Sequence, residues 1–163
     1  MAKHKRVPVI EDQLALRRKV ARLSHEGRYA EAAEILEALL VGRPTNPLIW
    51  NDLGLVFEAM GKTERAITAF RRGIALSASA YPPLRFHLGR LQLGAFMQET
   101  EVASRTTEAA KCTLVEIVKQ LNASLDGDPE NAEAHRLLAL ACQLMGRANL
   151  AALHTEVAKR MSD

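Results

Sequence analysis

The 163-residue sequence predicts an all-α fold, a right-handed superhelical solenoid of about four helix–turn–helix pairs with an enlarged third pair. Three observations carry this expectation. Anchor residues return at a spacing of 34: Leu16 and Trp50, Gly27 and Gly61, Ala32 and Ala66, Leu36 and Phe70. Other anchors return at 85, matching Trp50 to His135, Leu53 to Leu138, Gly61 to Gly146, Ala66 to Ala151 and Pro44 to Pro129. Since 85 is 34 plus 51, two repeats separate these anchors and the middle one holds 17 additional residues. Finally, apolar residues make up 48% of the chain but aromatics only 4%, so the core is built of Leu, Ala, Val and Ile in thin layers. A fixed period of this length marks stacked hairpins, each burying its apolar face against its neighbours.

Residues 1–12 are expected to form a flexible basic lead-in, with Pro8 opposing an early helix. From Gln13, the positions Leu14, Leu16, Val20 and Leu23 follow helical spacing, and Gly27 ends the helix in a left-handed conformation. A second helix begins near Tyr29 and passes Ala32, Leu36 and Leu40 before Gly42, Pro44 and Pro47 stop it. The next pair spans Leu48 to Met60 and Thr63 to about Ala78, joined at Gly61-Lys62. Thr63 suits an N-cap there and Glu64 the first turn.

The third pair opens at Tyr81-Pro82-Pro83, since proline fits a first helical turn. Leu84, Leu88, Leu91 and Phe96 carry its packing face, and Leu88-Gly89 repeats Leu53-Gly54. Neither Gly nor Pro occurs from Ala95 to Asp126, where Val102, Thr106, Ala110, Leu114, Val118, Leu121 and Leu125 trace one stripe. The additional residues most simply lengthen the second helix of this pair, by about 25 Å at a rise of ~1.5 Å per residue. A short separate helix at 99–104 is the alternative. Asp126-Gly127-Asp128-Pro129 ends the unit, and the last pair runs from Asn131 to Met145 and from Asn149 to about Met161 around Gly146-Arg147. The repeats are thus 13–46, 47–80, 81–131 and 132–161 of one domain over 13–161.

Each recurring residue has a mechanical task. Helices cross closely where one contact side chain is small, hence Gly54, Gly89 and Ala139 on first helices and Ala32, Ala66 and Ala151 on second ones. Large residues fill the adjoining space: Trp50, Leu53, Phe57 and Phe70 in the second pair, Leu138, Leu140 and Leu153 in the last.

The set Trp50, Leu53, Gly54, Phe57, Gly61, Ala66 and Phe70 resembles the signature of the tetratricopeptide repeat. That resemblance implies a non-catalytic interaction module whose first helices line a concave groove for a partner's peptide or helix. Carried over position by position, it implies groove residues Arg17 (with Leu14 and Ala21), then Leu48, Asn51, Asp52 and Leu55. The third pair would add Phe86, His87, Arg90 and Leu93, and the fourth Arg136, beside Leu137 and Leu140, which also fit packing roles. This mixture suits a protein or peptide partner of acidic or amphipathic character. Family members that hold the acidic tails of heat-shock chaperones use Lys, Asn, Asn, Lys and Arg. The matching positions here are Arg17, Ala21, Asp52, Pro83 and His87, and Asp52 would repel a carboxylate, which argues against that role. In size and layout the chain also resembles bacterial secretion chaperones, so a chaperone-like adaptor or scaffold is expected.

Other classes find little support. No apolar run approaches the ~20 residues of a membrane span, and the first residues lack the apolar stretch of a secretory signal. Cys112 and Cys142 both fall inside expected helices, so no disulfide framework is expected and a cytoplasmic location is. His135, Cys142 and His154 could be imagined around a metal, yet the first two stand where Trp50 and Phe57 pack. Ser24-His25-Glu26 is a helix end, and the sequence has neither a Gly-rich phosphate loop nor a paired-carboxylate motif. No catalytic residue, metal or cofactor is therefore expected. The net charge of +3 is carried by Lys3, Lys5 and Arg6. Arg17, Arg18, Lys19 and Arg22 make the first helix basic, and nucleic acid is the alternative partner they suggest, though no aromatic residues interleave with them for base stacking. The sequence ends directly after the fourth pair, which implies self-association or docking through a last helix exposed at Leu153 and Val157.

Overall fold

A computed structural model describes residues 10–76, 81–99 and 107–162. The described elements are eight helices: α1 (Ile10–His25), α2 (Tyr29–Gly42), α3 (Pro47–Ala59), α4 (Thr63–Leu76), α5 (Pro82–Glu99), α6 (Glu108–Leu125), α7 (Ala132–Leu144) and α8 (Ala148–Arg160). The fold is the expected all-α helical repeat. The chain divides into two compact units, Met1–Ala78 with α1–α4 and Ser79–Asp163 with α5–α8. In the first, α1 packs on α2, α2 on α3 and α3 on α4; in the second, α5 packs on both α6 and α7, α6 on α7 and α7 on α8. Among the described residues no helix is long and apolar enough to cross a membrane.

Three of the hairpins close with the same hydrogen bonds. At the first, Arg28 N–H donates to the Leu23 carbonyl at 2.8 Å and Gly27 N–H to that of Ser24 at 3.1 Å. Lys62 and Gly61 donate likewise to Phe57 (2.9 Å) and Glu58 (2.8 Å), and Arg147 and Gly146 to Cys142 (2.9 Å) and Gln143 (3.0 Å). This pairing satisfies carbonyls that a helix end otherwise leaves open, and it needs a left-handed residue. Gly27, Gly61 and Gly146 supply it, with φ of 75°, 70° and 71°. So tight a turn leaves no room for a separate cap. Thr63, expected to cap α4, is instead its first residue, because Ala66 N–H already bonds the Lys62 carbonyl at 3.0 Å. Asparagines do cap the first helices: the Asn46 side chain accepts from Leu48 N–H at 3.0 Å, and that of Asn131 from Ala134 N–H at 2.9 Å.

The small–large contacts hold in both units. A methyl group on Gly54 would overlap the Phe70 ring, and one on Gly89 would meet Leu121 Cγ at 2.8 Å. Trp50, Leu53, Phe57 and Phe70 are buried, together with Leu23, Leu36 and Ile49. In the second unit, Leu93, Phe96 and Ala110 form a core with Leu114, Ile117, Leu121, Leu138 and Ala141. The fourth pair departs from expectation. Leu138 is buried, but Leu140 and Leu153 are exposed and Ala139 and Ala151 half-buried. Leu140 and Leu153 therefore do not fill the hairpin.

The third pair also departs. Its extra length is shared: α5 and α6 each have 18 residues, against 13 in α3 and 14 in α4. A single second helix lengthened by some 25 Å is ruled out, because Thr107 starts α6 afresh, its side chain accepting from Ala110 N–H at 3.3 Å. Val102, Thr106 and the alternative helix at 99–104 lie outside the described residues, apart from Glu99 at the end of α5. At the amino-terminal end, α1 starts at Ile10, three residues before Gln13, and the rest of the expected lead-in lies outside the described residues.

Candidate functional site

The first helices of unit 1 frame a cleft of about 270 Å³ between α1 and α3. Four of the expected groove residues meet there: Arg17 and Ala21 from α1, and Asp52 and Leu55 from α3. Helical spacing explains the meeting, since Asp52 and Leu55 lie three residues apart on one face of α3. Arg17 Nε donates to Asp52 Oδ2 at 2.8 Å across the two helices. Their side chains remain 38% and 22% exposed, so the pair is reachable from solvent. Ala21, Val20 and Val56 give the cleft an apolar lining, while Leu55 is exposed at its edge. Tyr29 and Ser24 also border it, and sequence reasoning missed both. Their signal was present, because each lies within a turn of the Gly27 reversal that brings α2 back beneath α1.

The remaining expected residues separate. Leu14 is exposed, Leu48 half-buried and Asn51 only 7% exposed. Asn51 is thus inside the helix packing rather than offered to an open groove, and its Oδ1 finds no hydrogen-bond donor among the described residues. In unit 2, Phe86, His87 and Arg90 are half-buried on α5, and the rings of Phe86 and His87 meet edge to face at 5.1 Å. Leu93 belongs to the core, at 2% exposure, because α5 is covered by both α6 and α7; it is not a groove residue. Arg136 is exposed on α7, where it donates to Glu133 Oε2 at 2.9 Å and to Ser162 Oγ at 2.8 Å. The charge near the first hairpin is tied up locally: two hydrogen bonds from Arg28 hold the Glu31 carboxyl below its usual range, and Glu31 and Glu26 push Arg28 up.

His135, Cys142 and His154 serve packing and hydrogen bonding. His135 Nε2 lies 3.2 Å from the Pro129 carbonyl, and its Nδ1 lies 3.0 Å from His154 Nδ1. A carbonyl can only accept, so His135 carries its proton on Nε2 and accepts at Nδ1 from the Nδ1–H of His154. Burial, then the neighbouring His135, lowers the pKa of His154; burial pushes the Cys142 thiol up, opposed by Arg147. Among the described residues no three His, Cys, Asp or Glu side chains come together as metal ligands.

Paired helices closed by left-handed glycines, with small residues at each close crossing, define a helical-hairpin repeat protein. Residues 23–82 match the family profile of the tetratricopeptide repeat, the same family that the residues from Trp50 to Phe70 resemble. No curated protein matches the sequence. Solved structures share the fold. The chain is similar to MamA protein, at 18% identity and a TM-score of 0.68 over 90% of this chain and 70% of that one. It is similar to TTC0263, a thermophilic TPR protein of Thermus thermophilus, at 20% identity and a TM-score of 0.68 over 91% and 73%. A third likeness is to the first TPR of Spaghetti (RPAP3) bound to an HSP90 peptide, at 20% identity and a TM-score of 0.66 over 86% and 98%.

Proposed function

We propose that this protein is a non-catalytic, cytoplasmic interaction module, an adaptor or chaperone-like protein that holds a peptide or helix of a partner along its first helices. The observation that carries the reading is the α1–α3 cleft, where a solvent-reachable ion pair, Arg17–Asp52, sits beside the exposed Leu55. An apolar anchor next to one positive and one negative group suits an amphipathic segment. The complex of the RPAP3 domain with an HSP90 peptide supports peptide binding by this fold. The carboxylate-tail mode is not part of the proposal, because Arg17 already bonds Asp52 and that carboxylate would face the tail. The nucleic-acid alternative loses support as well. Of the basic residues on α1, Arg17 is held by Asp52, and Arg22 lies 3.8 Å from Glu26.

Fluorescence anisotropy with labelled amphipathic peptides tests the reading. Leu55→Glu is expected to weaken binding about tenfold or more, as loss of a buried apolar anchor does. Equal affinity for the variant overturns the assignment of this cleft. A separate proposal, weak self-association through α8, rests on the exposure of Leu150 and Leu153. Light scattering that reports a monomer at every concentration overturns it.

A further inference from the structure

We propose that unit 1 carries a second docking surface, on the face of α2 and α4 turned away from the first-helix cleft, and that it takes an acidic amphipathic helix of a partner protein. A cleft of about 560 Å³ opens there over α3, larger than the one between α1 and α3. Its floor is apolar, made by the edges of Trp50, Leu53 and Phe57. Its α2 wall presents Leu40 and Val41, and Val41 is 87% exposed, the most open of the large apolar side chains among the described residues. An apolar floor with an apolar rim, left to solvent between two helices, is the form that receives the apolar face of a third helix.

Charge selects the partner. Glu37 on α2 is already engaged by Arg65 on α4 at 3.2 Å, and the Arg65 guanidinium lies 4.1 Å from the centre of the Phe57 ring. Arg65 is thereby held over the floor while its side chain stays 55% exposed. Seven residues on, Arg72 lines the same wall with no ion-pair partner among the described residues, and Arg71 beside it is exposed. The acidic Glu64 stands at the other end of that wall, in the first turn of α4, two turns before Arg72. The Arg72 end is thus positive and unmatched, and a partner carboxylate one or two turns along its helix from an apolar anchor would complete it. This surface is independent of the α1–α3 cleft and stands or falls apart from it.

The chain supplies its own reporter. Trp50 is its single tryptophan and lines this cleft, so its emission responds to occupancy. The probes are a helix-forming peptide of Leu, Ala and Glu and its twin with every Glu replaced by Lys. The acidic peptide is expected to shift Trp50 emission saturably and to bind about tenfold more tightly than its twin, as one charge-assisted contact provides. Arg72→Glu reverses that preference, and Val41→Glu weakens the acidic peptide; both positions are exposed, so circular dichroism of the variants is expected to match the parent protein. Unchanged emission, or equal affinity for the two peptides, overturns the proposal. So does binding that Leu55→Glu abolishes and Arg72→Glu leaves alone, which places the peptide in the first-helix cleft. Emission that shifts with protein concentration alone assigns the surface to a second copy of the chain and overturns it too.

Discussion

The second and fourth hairpins are built on one plan and differ in what fills it. Trp50 Nε1 donates to the Pro44 carbonyl at 2.6 Å; 85 residues later His135 Nε2 reaches the Pro129 carbonyl at 3.2 Å. The ring has shrunk, yet a ring N–H still tethers the start of the first helix to the connector before it. The opposite holds at the helix crossing. Gly54 against a buried Phe70 becomes Ala139 and an exposed Thr155, and a cleft of about 520 Å³ lined by Arg136, Lys159 and Ser162 lies at that crossing. At that crossing α8 presents Thr155 and Lys159 where α4 carries a phenyl ring. The lesson is that connector tether and glycine turn define the hairpin, whereas the crossing residues decide whether its side is sealed with apolar or polar groups.

The comparison can be broken most forcefully at its larger ring. Trp50→Ala is expected to cost ~3–5 kcal/mol, since it empties a buried site and removes the tether to Pro44. A chemical denaturation curve that does not move would refute the register itself. His135→Phe keeps an aromatic ring but leaves the Pro129 carbonyl without its donor, for an expected cost of about 1–3 kcal/mol in the same measurement. A loss as large as that at Trp50 would mean the smaller ring is structurally its equal. The turns should behave alike in both hairpins: Gly61→Ala and Gly146→Ala are each expected to cost about 1–2 kcal/mol. Nothing lies within 4 Å of the added methyl at either site, so the penalty is one of backbone conformation alone. Asn in place of Ala should recover part of it.

Acid sharpens the difference further, because of these two hairpins only the fourth holds histidines. The pKa of His154 is lowered in the fold from its ordinary 6.5, so the unfolded chain binds its proton more readily. The stability this group supplies is complete above the ordinary value and is lost as pH falls through it toward the lower folded one. Melting temperatures taken at about pH 8 and about pH 5 should therefore fall less in His154→Gln than in the parent. The smallest effect belongs to Arg17–Asp52. A double-mutant cycle with Arg17→Ala and Asp52→Ala should give a coupling below about 1 kcal/mol, as for ion pairs open to solvent.

Much of the fold was legible because glycine and proline report backbone geometry directly. Gly27, Gly61 and Gly146 each take the left-handed conformation the sequence implied. The division of 95–125 was harder to read, since an apolar stripe continues through it and Thr107 looks like any helical threonine until its side chain is seen bonding Ala110 N–H. Site residues were less legible than the fold. A position on a first helix fixes a face but not what lies over it: Leu55 stays open, whereas Leu93 is sealed under α6 and α7. The larger cleft escaped notice for a related reason, as Val41 and Arg72 lie 31 residues apart and only the fold brings them to one opening.

Each glycine-closed hairpin satisfies the carbonyls at its turn with its own amides and borrows none from the next hairpin. A duplicated stretch of about 34 codons would therefore encode a unit already complete in its backbone, needing only its surface side chains retuned to fit a neighbour. The chain can lengthen by copying, and the replacements of Trp50 by His135 and Phe70 by Thr155 have the character of such retuning after a copy.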